Sequence, residues 1–194
     1  MPREEQKIYL LRHGETEWSL NGRHTGVTDI PLTENGRLAA RRLGPILAEE
    51  TFALVLTSPL QRARETCDLA GLGERANVEA DLKEWNYGEY EGLTTEEIRR
   101  TWPDWSVFRD GCPGGESPAQ VGARADNLLV RIRAVEGNVA LFGHGHFSRV
   151  LAARWIDLPA SYGENFLLDT ATLSVLGYYR ESPALKMWNV PLSR

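Results

Sequence analysis

Two segments of the chain place histidine beside glycine directly after a short apolar run. Arg12-His-Gly-Glu15 follows a run that ends at Leu11, and Gly143-His-Gly-His146 follows a run that ends at Phe142. Arg62 comes soon after a third such run. Guanidinium groups match phosphate oxygens in pairs, with about 1.5–3 kcal/mol per charge-assisted bond. Imidazole serves as a nucleophile or a proton carrier. These residue types therefore indicate a site that binds a phosphoryl group and acts on it.

The apolar runs that precede these segments are typical of buried strands, and helical patterns separate them. The predicted strands are residues 8–11, 52–56, 139–142, 172–178 and 184–187. The last two are typical of an antiparallel edge pair. Ligands of open α/β sheets bind beyond the carboxyl ends of the strands. We therefore expect Arg12, His13, Arg62 and His144 to meet at one edge of the sheet.

Three capping signals predict helices between the strands. Thr33 can cap a helix, and Ser58-Pro59 predicts the start of a helix that continues through Leu69. Ser117 with Gln120 is a capping-box signature for a long helix that ends near Gly137. The apolar faces of the first and third helices are predicted to be Ala39, Leu43, Ile46 and Leu47, and Val121, Ala125, Leu128, Leu129 and Ile132. The alternation predicts a three-layer α/β/α sandwich with a mostly parallel central sheet.

Length and composition limit the class of protein. The 194 residues fit a single domain, residues 1–194, and the net charge of −5 disfavours a nucleic-acid or anionic-membrane partner. The start of the chain has no signal-peptide pattern, which predicts a cytoplasmic protein.

Residues 85–116 are irregular and rich in glycine and proline, which predicts a lid-like insertion without a core element. Within it, Trp102 and Trp105 are interpreted as packing residues.

Five motifs in order over nearly the whole chain resemble the histidine phosphatase superfamily, also called the phosphoglycerate mutase-like family. The motifs lie at residues 11–18, 22–26, 57–66, 82–88 and 143–145. Residues 84–93, 111–117 and 144–149 resemble the branch of bacterial acid phosphatases and sedoheptulose-bisphosphatase-like proteins. The resemblance implies the phosphoglycerate mutase-like fold and a phosphomonoesterase that hydrolyses small phosphorylated metabolites.

The resemblance also implies the roles of individual residues. His13 would carry the phosphoryl group as phosphohistidine, and Glu84 would protonate the leaving alkoxide. The implied catalytic residues are His13, Glu84, Arg12, Arg62 and His144, and the implied substrate-binding residues are Ser19, Thr25, Gly26, Tyr87 and Gly145. No metal and no cofactor is expected, because the arginines already neutralise the charge of the phosphate. A histidine with a pKa near its ordinary value of about 6.5 would suit mildly acidic conditions.

Three alternatives remain open at this stage. A cofactor-dependent phosphoglycerate mutase is disfavoured because the stretch from Gly92 to Gly114 is short and Ser19 stands where mutases carry asparagine. A metallohydrolase with His13, Glu84, His144 and His146 as ligands is disfavoured because arginines repel a cation. A binding module without activity is disfavoured because both His13 and Glu84 are present. A homodimer is compatible with the sequence.

Several polar residues near the motifs are given ordinary structural roles. His24 and His146 are interpreted as an entrance residue and a helix-start residue. Arg64 and Arg149 are interpreted either as partners of ion pairs or as residues that hold the site residues in place. Cys67 is predicted to be buried and inert. Glycines beside His13 and His144 are expected to let backbone N–H groups approach an anion.

Overall fold

The centre of the computed structural model, which describes residues 6–191, is a six-stranded sheet. The strands are β1 (Ile8–Arg12), β2 (Phe52–Thr57), β3 (Ala76–Val78), β4 (Asn138–Gly143), β5 (Leu173–Tyr179) and β6 (Ser182–Val190). Their order is β3-β2-β4-β1-β5-β6, and the pairings among β1 to β4 are parallel. Strand β5 runs antiparallel to both β1 and β6. The mostly parallel sheet and the antiparallel edge pair are confirmed. The sequence does not predict β3, because three residues are too few to show the hydrophobic pattern of a strand.

Helices cover both faces of the sheet. They are α1 (Glu17–Leu20), α2 (Glu34–Arg41), α3 (Leu43–Ala48), α4 (Gln61–Leu69), α5 (Thr95–Arg99), α6 (Val107–Asp110), α7 (Pro118–Arg133) and α8 (Gly145–Trp155). Because side chains alternate along a strand, Ile8 and Leu10 of β1 pack with α7 and α8, while Tyr9 and Leu11 pack with α3 and α4. The result is the predicted three-layer sandwich. Among residues 6–191, no helix has the length and apolar character needed to span a membrane.

Helix α7 matches its sequence signal closely. Ser117 and Gln120 form the reciprocal capping box, and the whole predicted apolar face is buried. The helix ends at Arg133 rather than near Gly137. It packs against the sheet face that also carries α8.

The helix that follows Thr33 departs from its prediction. The Thr33 hydroxyl accepts a hydrogen bond from Gly36 N and caps α2 as expected. The predicted apolar face is wrong in part, because the helix is interrupted at Arg42: α2 ends at Arg41 and a separate helix, α3, begins at Leu43. Ile46 is consequently exposed and Ala39 half-buried. The buried positions are Gly36, Ala40, Leu43 and Leu47.

The predicted start of α4 at Ser58-Pro59 is wrong. The helix begins at Gln61, its N-cap residue is Leu60, and no side chain caps it. The Ser58 side chain is used elsewhere, since its hydroxyl is hydrogen-bonded to the ring of His144. A residue that looks like a helix cap in the sequence is therefore part of the polar cluster at the strand ends.

The irregular segment 85–116 contributes to the core, contrary to expectation. Trp85, Trp105 and Phe108 are almost completely buried in the larger hydrophobic cluster. The indole of Trp105 donates a hydrogen bond to Gly111 O (2.8 Å), so its polar atom is satisfied inside the fold. Trp102 is exposed. Large aromatic side chains let a segment whose α-helices, α5 and α6, are both short bury apolar area. The single-domain organisation and the lid-like role remain predictions.

Candidate active site

The carboxyl ends of β1, β2 and β4 lie side by side. Arg12 is the register partner of Gly143, and His13 N donates a hydrogen bond to Gly143 O (3.0 Å). Ser58 N donates to Phe142 O (2.9 Å). The three motif segments that follow these strands therefore begin at one edge of the sheet, as the sequence predicts.

A cleft of about 260 Å³ opens at this edge. Its lining includes seven of the predicted site residues, namely Arg12, His13, Ser19, Thr25, Glu84, Tyr87 and Gly145. Arg62 and His144 are completely buried beside it, and Gly26 faces a different cavity. The volume is small, which suits a metabolite rather than a polymer segment.

The His13 imidazole is buried, and one of its two ring nitrogens is hydrogen-bonded to the backbone. Its Nδ1 donates to Gly14 O (2.7 Å), because a carbonyl oxygen can only accept. Burial lowers the pKa of His13 well below its ordinary value, and the charges of Arg62 and Arg12 lower it further. The expectation of a pKa near 6.5 is therefore wrong. A neutral ring with its proton on Nδ1 carries a free lone pair on Nε2, the form needed for nucleophilic attack.

Arg62 and His144 form a buried pair next to His13, whose ring lies 5.2 Å from that of His144, centroid to centroid. Arg62 Nε donates to His144 Nδ1 (3.2 Å), and His144 Nε2 donates to Ser58 Oγ (2.7 Å). Burial and the Arg62 charge lower the pKa of His144 well below its ordinary value. Both ring nitrogens of this neutral histidine are thus occupied within the protein.

Three of the four other N–H groups of Arg62 hold the loop 25–28 in place. They donate to the carbonyl oxygens of Thr25 (3.0 Å), Gly26 (3.0 Å) and Thr28 (2.9 Å). Glu91 Oε1 accepts from the N–H groups of Gly26 (2.9 Å) and Thr28 (3.0 Å) on the same loop. A Cβ at residue 26 would lie 2.5 Å from the Trp85 carbonyl oxygen, so only glycine fits there. Gly26 thus joins the loop to its supports and does not line the cleft.

Glu84 is positioned by backbone amides. Its Oε1 accepts from Trp85 N (2.9 Å) and Phe147 N (2.8 Å), and its Oε2 accepts from His146 N (3.0 Å). Two of these amides belong to the first turn of α8, where N–H groups lack partners within the helix. The carboxyl group is therefore fixed against the cleft by a helix terminus.

Arg12 projects beside His13 and retains donor capacity. One terminal nitrogen donates to Leu168 O, while the buried Nε has no hydrogen-bond partner among residues 6–191. A Cβ at Gly145 would lie 3.3 Å from Arg12 Cζ, so glycine leaves room for this guanidinium. Gly14 N instead donates to Thr66 Oγ1 (3.0 Å). The expectation that Gly14 offers its N–H to an anion is therefore wrong.

A cluster of rings, the aromatic wall, consists of His24, Tyr87, Trp105, Phe108 and His146. The Tyr87 hydroxyl is 2.5 Å from His146 Nδ1, and the His24 ring lies 4.8 Å from the Tyr87 ring, centroid to centroid. Burial lowers the pKa of His24 to about 4 and that of His146 well below its ordinary value. Both histidines line the cleft. His146 lies in the first turn of α8 and bonds to a neighbouring side chain, as predicted, and its position in the cleft lining is additional.

Arg149 also lines the cleft and was missed by the sequence argument. It makes no ion pair with residues 6–191. Its Nε donates to Gly163 O (2.9 Å) and its Nη2 to Glu164 O (2.9 Å). The spacing of His146 and Arg149, three residues apart on one helix, places both on one face and could have revealed the pair.

Two hydroxyl side chains of the predicted site are partly engaged. Ser19 Oγ accepts from Thr16 N (2.9 Å) in the capping box of α1 and donates to Thr16 O (2.9 Å). Thr25 Oγ1 donates to Arg23 O (3.2 Å). Cys67 is buried, as predicted, and burial raises its pKa to about 12.

The alternative metal site is not assembled. His144 bonds to Ser58 and Arg62, whereas His146 bonds to Tyr87. In the part of the chain that the structure describes, no group of three or more His, Cys, Asp or Glu side chains is placed to hold a metal ion.

Comparison with known proteins gives a consistent result. An acid phosphatase of Mycobacterium tuberculosis is 45% identical, over 89% of this chain and 86% of that protein. A sedoheptulose 1,7-bisphosphatase of Saccharomyces cerevisiae is 36% identical, over 81% of this chain and 70% of that protein. A solved structure of an open reading frame from Mycobacterium tuberculosis superposes with a TM-score of 0.92 at 41% identity, covering 97% of this chain and 99% of that one. The family model "Histidine phosphatase superfamily (branch 1)" matches residues 8–191, and the chain belongs to that superfamily.

Proposed function

We propose that this protein is a histidine-type phosphomonoesterase that hydrolyses small phosphorylated metabolites through a phosphohistidine at His13. The observation that carries the proposal is the state of His13, a neutral imidazole whose Nδ1 is held by Gly14 O while Arg12 and Arg62 lie beside it. The relatives named acid phosphatase and sedoheptulose bisphosphatase support the same reaction class.

In the first step, His13 Nε2 attacks the phosphorus and the bond from phosphorus to the ester oxygen breaks. The Nε2 lone pair forms the new bond, and the leaving oxygen takes the bonding electrons and a proton from Glu84. Arg12 binds phosphoryl oxygens directly through its unoccupied donors, and Arg62 contributes its positive charge from beside the site. Four of the five Arg62 N–H groups are already committed, so we assign it mainly an electrostatic role.

In the second step, water attacks the phosphohistidine and Glu84 takes a proton from that water. The bond from phosphorus to Nε2 breaks, its electrons return to the imidazole, and inorganic phosphate leaves. Two arginines balance the two charges of a phosphate dianion, so this scheme uses no metal ion. Splitting one difficult displacement into two is the usual advantage of a covalent intermediate.

The alternative, a cofactor-dependent phosphoglycerate mutase, is less well supported. The resemblance places Ser19 where mutases carry asparagine, and the Ser19 hydroxyl is used to cap α1. The segment from Gly92 to Gly114 is short, so less protein covers the cleft and water reaches the phosphoenzyme more easily. The substrate is a small phosphorylated metabolite. We retain a cytoplasmic location, a lack of nucleic-acid and membrane partners, and a homodimer as proposals from the sequence.

Trapping of the intermediate tests the proposal. Wild-type protein mixed with a ³²P-labelled monoester at pH 5 to 7 should acquire acid-labile, base-stable phosphate, and the His13→Ala variant should acquire none. Equal phosphate release by both proteins would contradict the proposed nucleophile. Rapid conversion of 3-phosphoglycerate into 2-phosphoglycerate, with the bisphosphate present, would instead favour the mutase.

A further inference from the structure

An ion pair outside the cleft supports the segment that carries Glu84. Glu116 directly precedes Ser117, the N-cap of α7, and Arg124 lies about two turns along that helix. Their side chains form a bidentate pair, with Arg124 Nε 3.0 Å from Glu116 Oε1 and Arg124 Nη2 2.9 Å from Glu116 Oε2. Both residues line a separate cavity of about 470 Å³, and Glu84 lines that cavity as well as the cleft. The pair therefore lies behind Glu84 and is not part of the cleft lining.

Arg124 holds the main chain that leads to Glu84. Its Nη1 donates to the carbonyl oxygens of Asp81 (2.8 Å) and Lys83 (2.6 Å), and its Nη2 donates to that of Glu84 over a longer distance (3.4 Å). With the two bonds to Glu116, the guanidinium makes five hydrogen bonds, which is as many as it has N–H groups. Because three of the acceptors are backbone carbonyl oxygens, these contacts fix the path of the chain rather than the position of a side chain.

Glu116 holds the main chain that follows Glu84. Its Oε2 accepts from Asn86 N (2.8 Å), and its backbone N–H donates to Asn86 O (2.9 Å). Its carbonyl oxygen accepts from the indole N–H of Trp85 (2.9 Å). A Cβ at Gly115 would clash with Asn86 O, so only glycine lets the two segments approach this closely. The pair thus holds the chain on both sides of the proposed acid.

The same guanidinium also contacts the helix that supplies two of the N–H groups bound to Glu84. Arg124 stacks on the ring of Phe147, at 4.4 Å from the centroid, and Phe147 N donates to Glu84 Oε1 (2.8 Å). The other two amides that bind the carboxylate are Trp85 N, from the segment that the pair supports, and His146 N, from α8. Arg124 therefore links both sources of these N–H groups, so its position sets their spacing around the carboxylate.

Arg131 on the same helix provides a contrast. It pairs with the side-chain carboxylates of Glu79 and Asp81, at 2.6 and 2.8 Å. The side chain of Arg131 is 52% exposed, against 15% for Arg124. Exposed ion pairs between side chains contribute little to stability. A largely buried guanidinium bonded to backbone carbonyl oxygens restricts the chain itself, because each charge-assisted bond also fixes a peptide group.

We propose that Glu116 and Arg124 are positioning residues for Glu84, whose carboxyl group they hold within reach of the leaving oxygen. The proposal rests on the proposed phosphatase activity and on Glu84 as its acid, and it assigns neither residue to contact with the substrate. Proton transfer requires the carboxyl group within hydrogen-bond reach of the leaving oxygen, so a small displacement of residues 81–86 slows this step selectively. Attack by His13 on a monoester that needs no acid does not depend on the pair.

Two monoesters that differ in their need for an acid test the proposal. The leaving group of p-nitrophenyl phosphate needs no protonation, whereas glycerol 3-phosphate releases an alkoxide. Arg124→Met keeps an apolar stem over Phe147 and removes every donor. It should lower kcat for glycerol 3-phosphate by about 10- to 100-fold, and should leave the nitrophenol burst of the first turnover within about 2-fold of the wild type. Phosphate release and stopped-flow absorbance measure the two rates.

Three further variants sharpen the comparison. Arg124→Lys retains the charge and part of the bonding, so it should recover part of the lost rate. Arg131→Met removes two ion pairs to the same segment and is the matched control, which should hydrolyse both esters as the wild type does. In the Glu84→Gln background, Arg124→Met should cause no further loss with glycerol 3-phosphate, because no acid remains to be positioned.

Other outcomes overturn the proposal. An equal fall in the burst and in glycerol 3-phosphate hydrolysis would show that the pair supports the whole site rather than Glu84. Unchanged rates with both esters, a further loss in the Glu84→Gln background, or the same selective loss in Arg131→Met would each overturn it as well. If Arg124→Met does not fold, Arg124→Lys and Glu116→Gln supply the same comparison of the two esters. Hydrolysis of neither ester by the wild type would instead contradict the proposed function.

Discussion

The floor of the cleft, formed by His13, Arg62 and His144, and the aromatic wall differ in how their polar atoms are used. On the floor, His13 Nδ1, both nitrogens of His144 and most of Arg62 are bonded to other protein groups. Beside the wall, Arg149 stacks on Phe108 and lines the cleft, and three of its N–H groups have no hydrogen-bond partner among residues 6–191. A saturated floor holds reacting atoms in one geometry, which the chemical step requires. Open donors beside the wall can bind one leaving group better than another.

The largest effect should come from the floor. His13→Asn removes the nucleophile, so turnover of any monoester should fall on the order of 10³-fold or more. His146→Asn, on the wall, should still form the labelled phosphoenzyme. Steady-state kinetics and acid-quench labelling of both variants measure the difference. If His146→Asn lost the label and His13→Asn kept it, the assignment of chemistry to the floor would be wrong.

Glu84→Gln should have the next largest effect. An amide cannot transfer a proton, so hydrolysis of an alkyl phosphate should slow by about 10²- to 10⁴-fold. With p-nitrophenyl phosphate, whose leaving group needs no protonation, the first turnover should still give a rapid burst of nitrophenol. Stopped-flow absorbance measures that burst. Loss of the burst together with slow alkyl hydrolysis would assign Glu84 to positioning rather than to proton transfer.

The wall should make stability depend on pH. Burial lowers the pKa of His24 to about 4, against about 6.5 in an unfolded chain. Below pH 6.5 the unfolded chain therefore binds a proton that the native state does not. The stability that the neutral His24 gives the native state is therefore fully present at neutral pH and is lost as the pH falls from 6.5 toward 4. His24 alone should lower the free energy of unfolding by about 2 kcal/mol between pH 7 and pH 5.

Urea unfolding at a series of pH values measures this dependence. His24→Phe keeps an aromatic ring among its neighbours and removes the titrating group, so its dependence should be shallower by that amount. The other three histidines, whose pKa values burial also lowers, titrate in both proteins and cancel in the comparison. Parallel curves for the two proteins would show that His24 is already solvated in the native state.

Tyr87→Phe should have the smallest effect. It deletes the hydrogen bond to His146 Nδ1, worth about 1 kcal/mol of stability, and leaves the floor unchanged. Because His146 lines the cleft, KM for the phosphomonoester of a small metabolite should rise, while kcat stays near the wild-type value. A fall in kcat as large as that of Glu84→Gln would break the division between floor and wall.

The sequence predicted the floor better than the wall, for a physical reason. Floor residues follow buried strands, whose short apolar runs are visible, and parallel strand ends must meet at one edge. The wall gathers His24, Tyr87, Trp105, Phe108 and His146 from loops, from the short helix α6 and from the start of α8. No hydrophobic periodicity in the sequence links such residues, so their assembly depends on packing between segments that are distant in the chain.

The sequence also mistook the local role of some residues. Ser58 has the pattern of a helix cap, yet its hydroxyl bonds to His144, 86 residues away. Arg149 has the pattern of a surface ion-pair residue, yet it faces the cleft without a carboxylate partner among residues 6–191. Local propensity favours the nearest partner, and a long-range contact replaces it when burial leaves a group that must be satisfied.

By itself the sequence determined the α/β layers, the edge of the sheet that carries the site, and the residue types of a phosphoryl site, because strands, caps and motif order are local. Only the tertiary structure decided that His13 is neutral with its lone pair on Nε2, that Arg62 is largely committed to the loop 25–28, and that Arg149 lines the cleft without an ion pair among residues 6–191. These properties depend on burial and on partners distant in the chain. The reason is that protonation and hydrogen-bond saturation are set by the whole environment of a group, whereas a motif records only its neighbours in sequence.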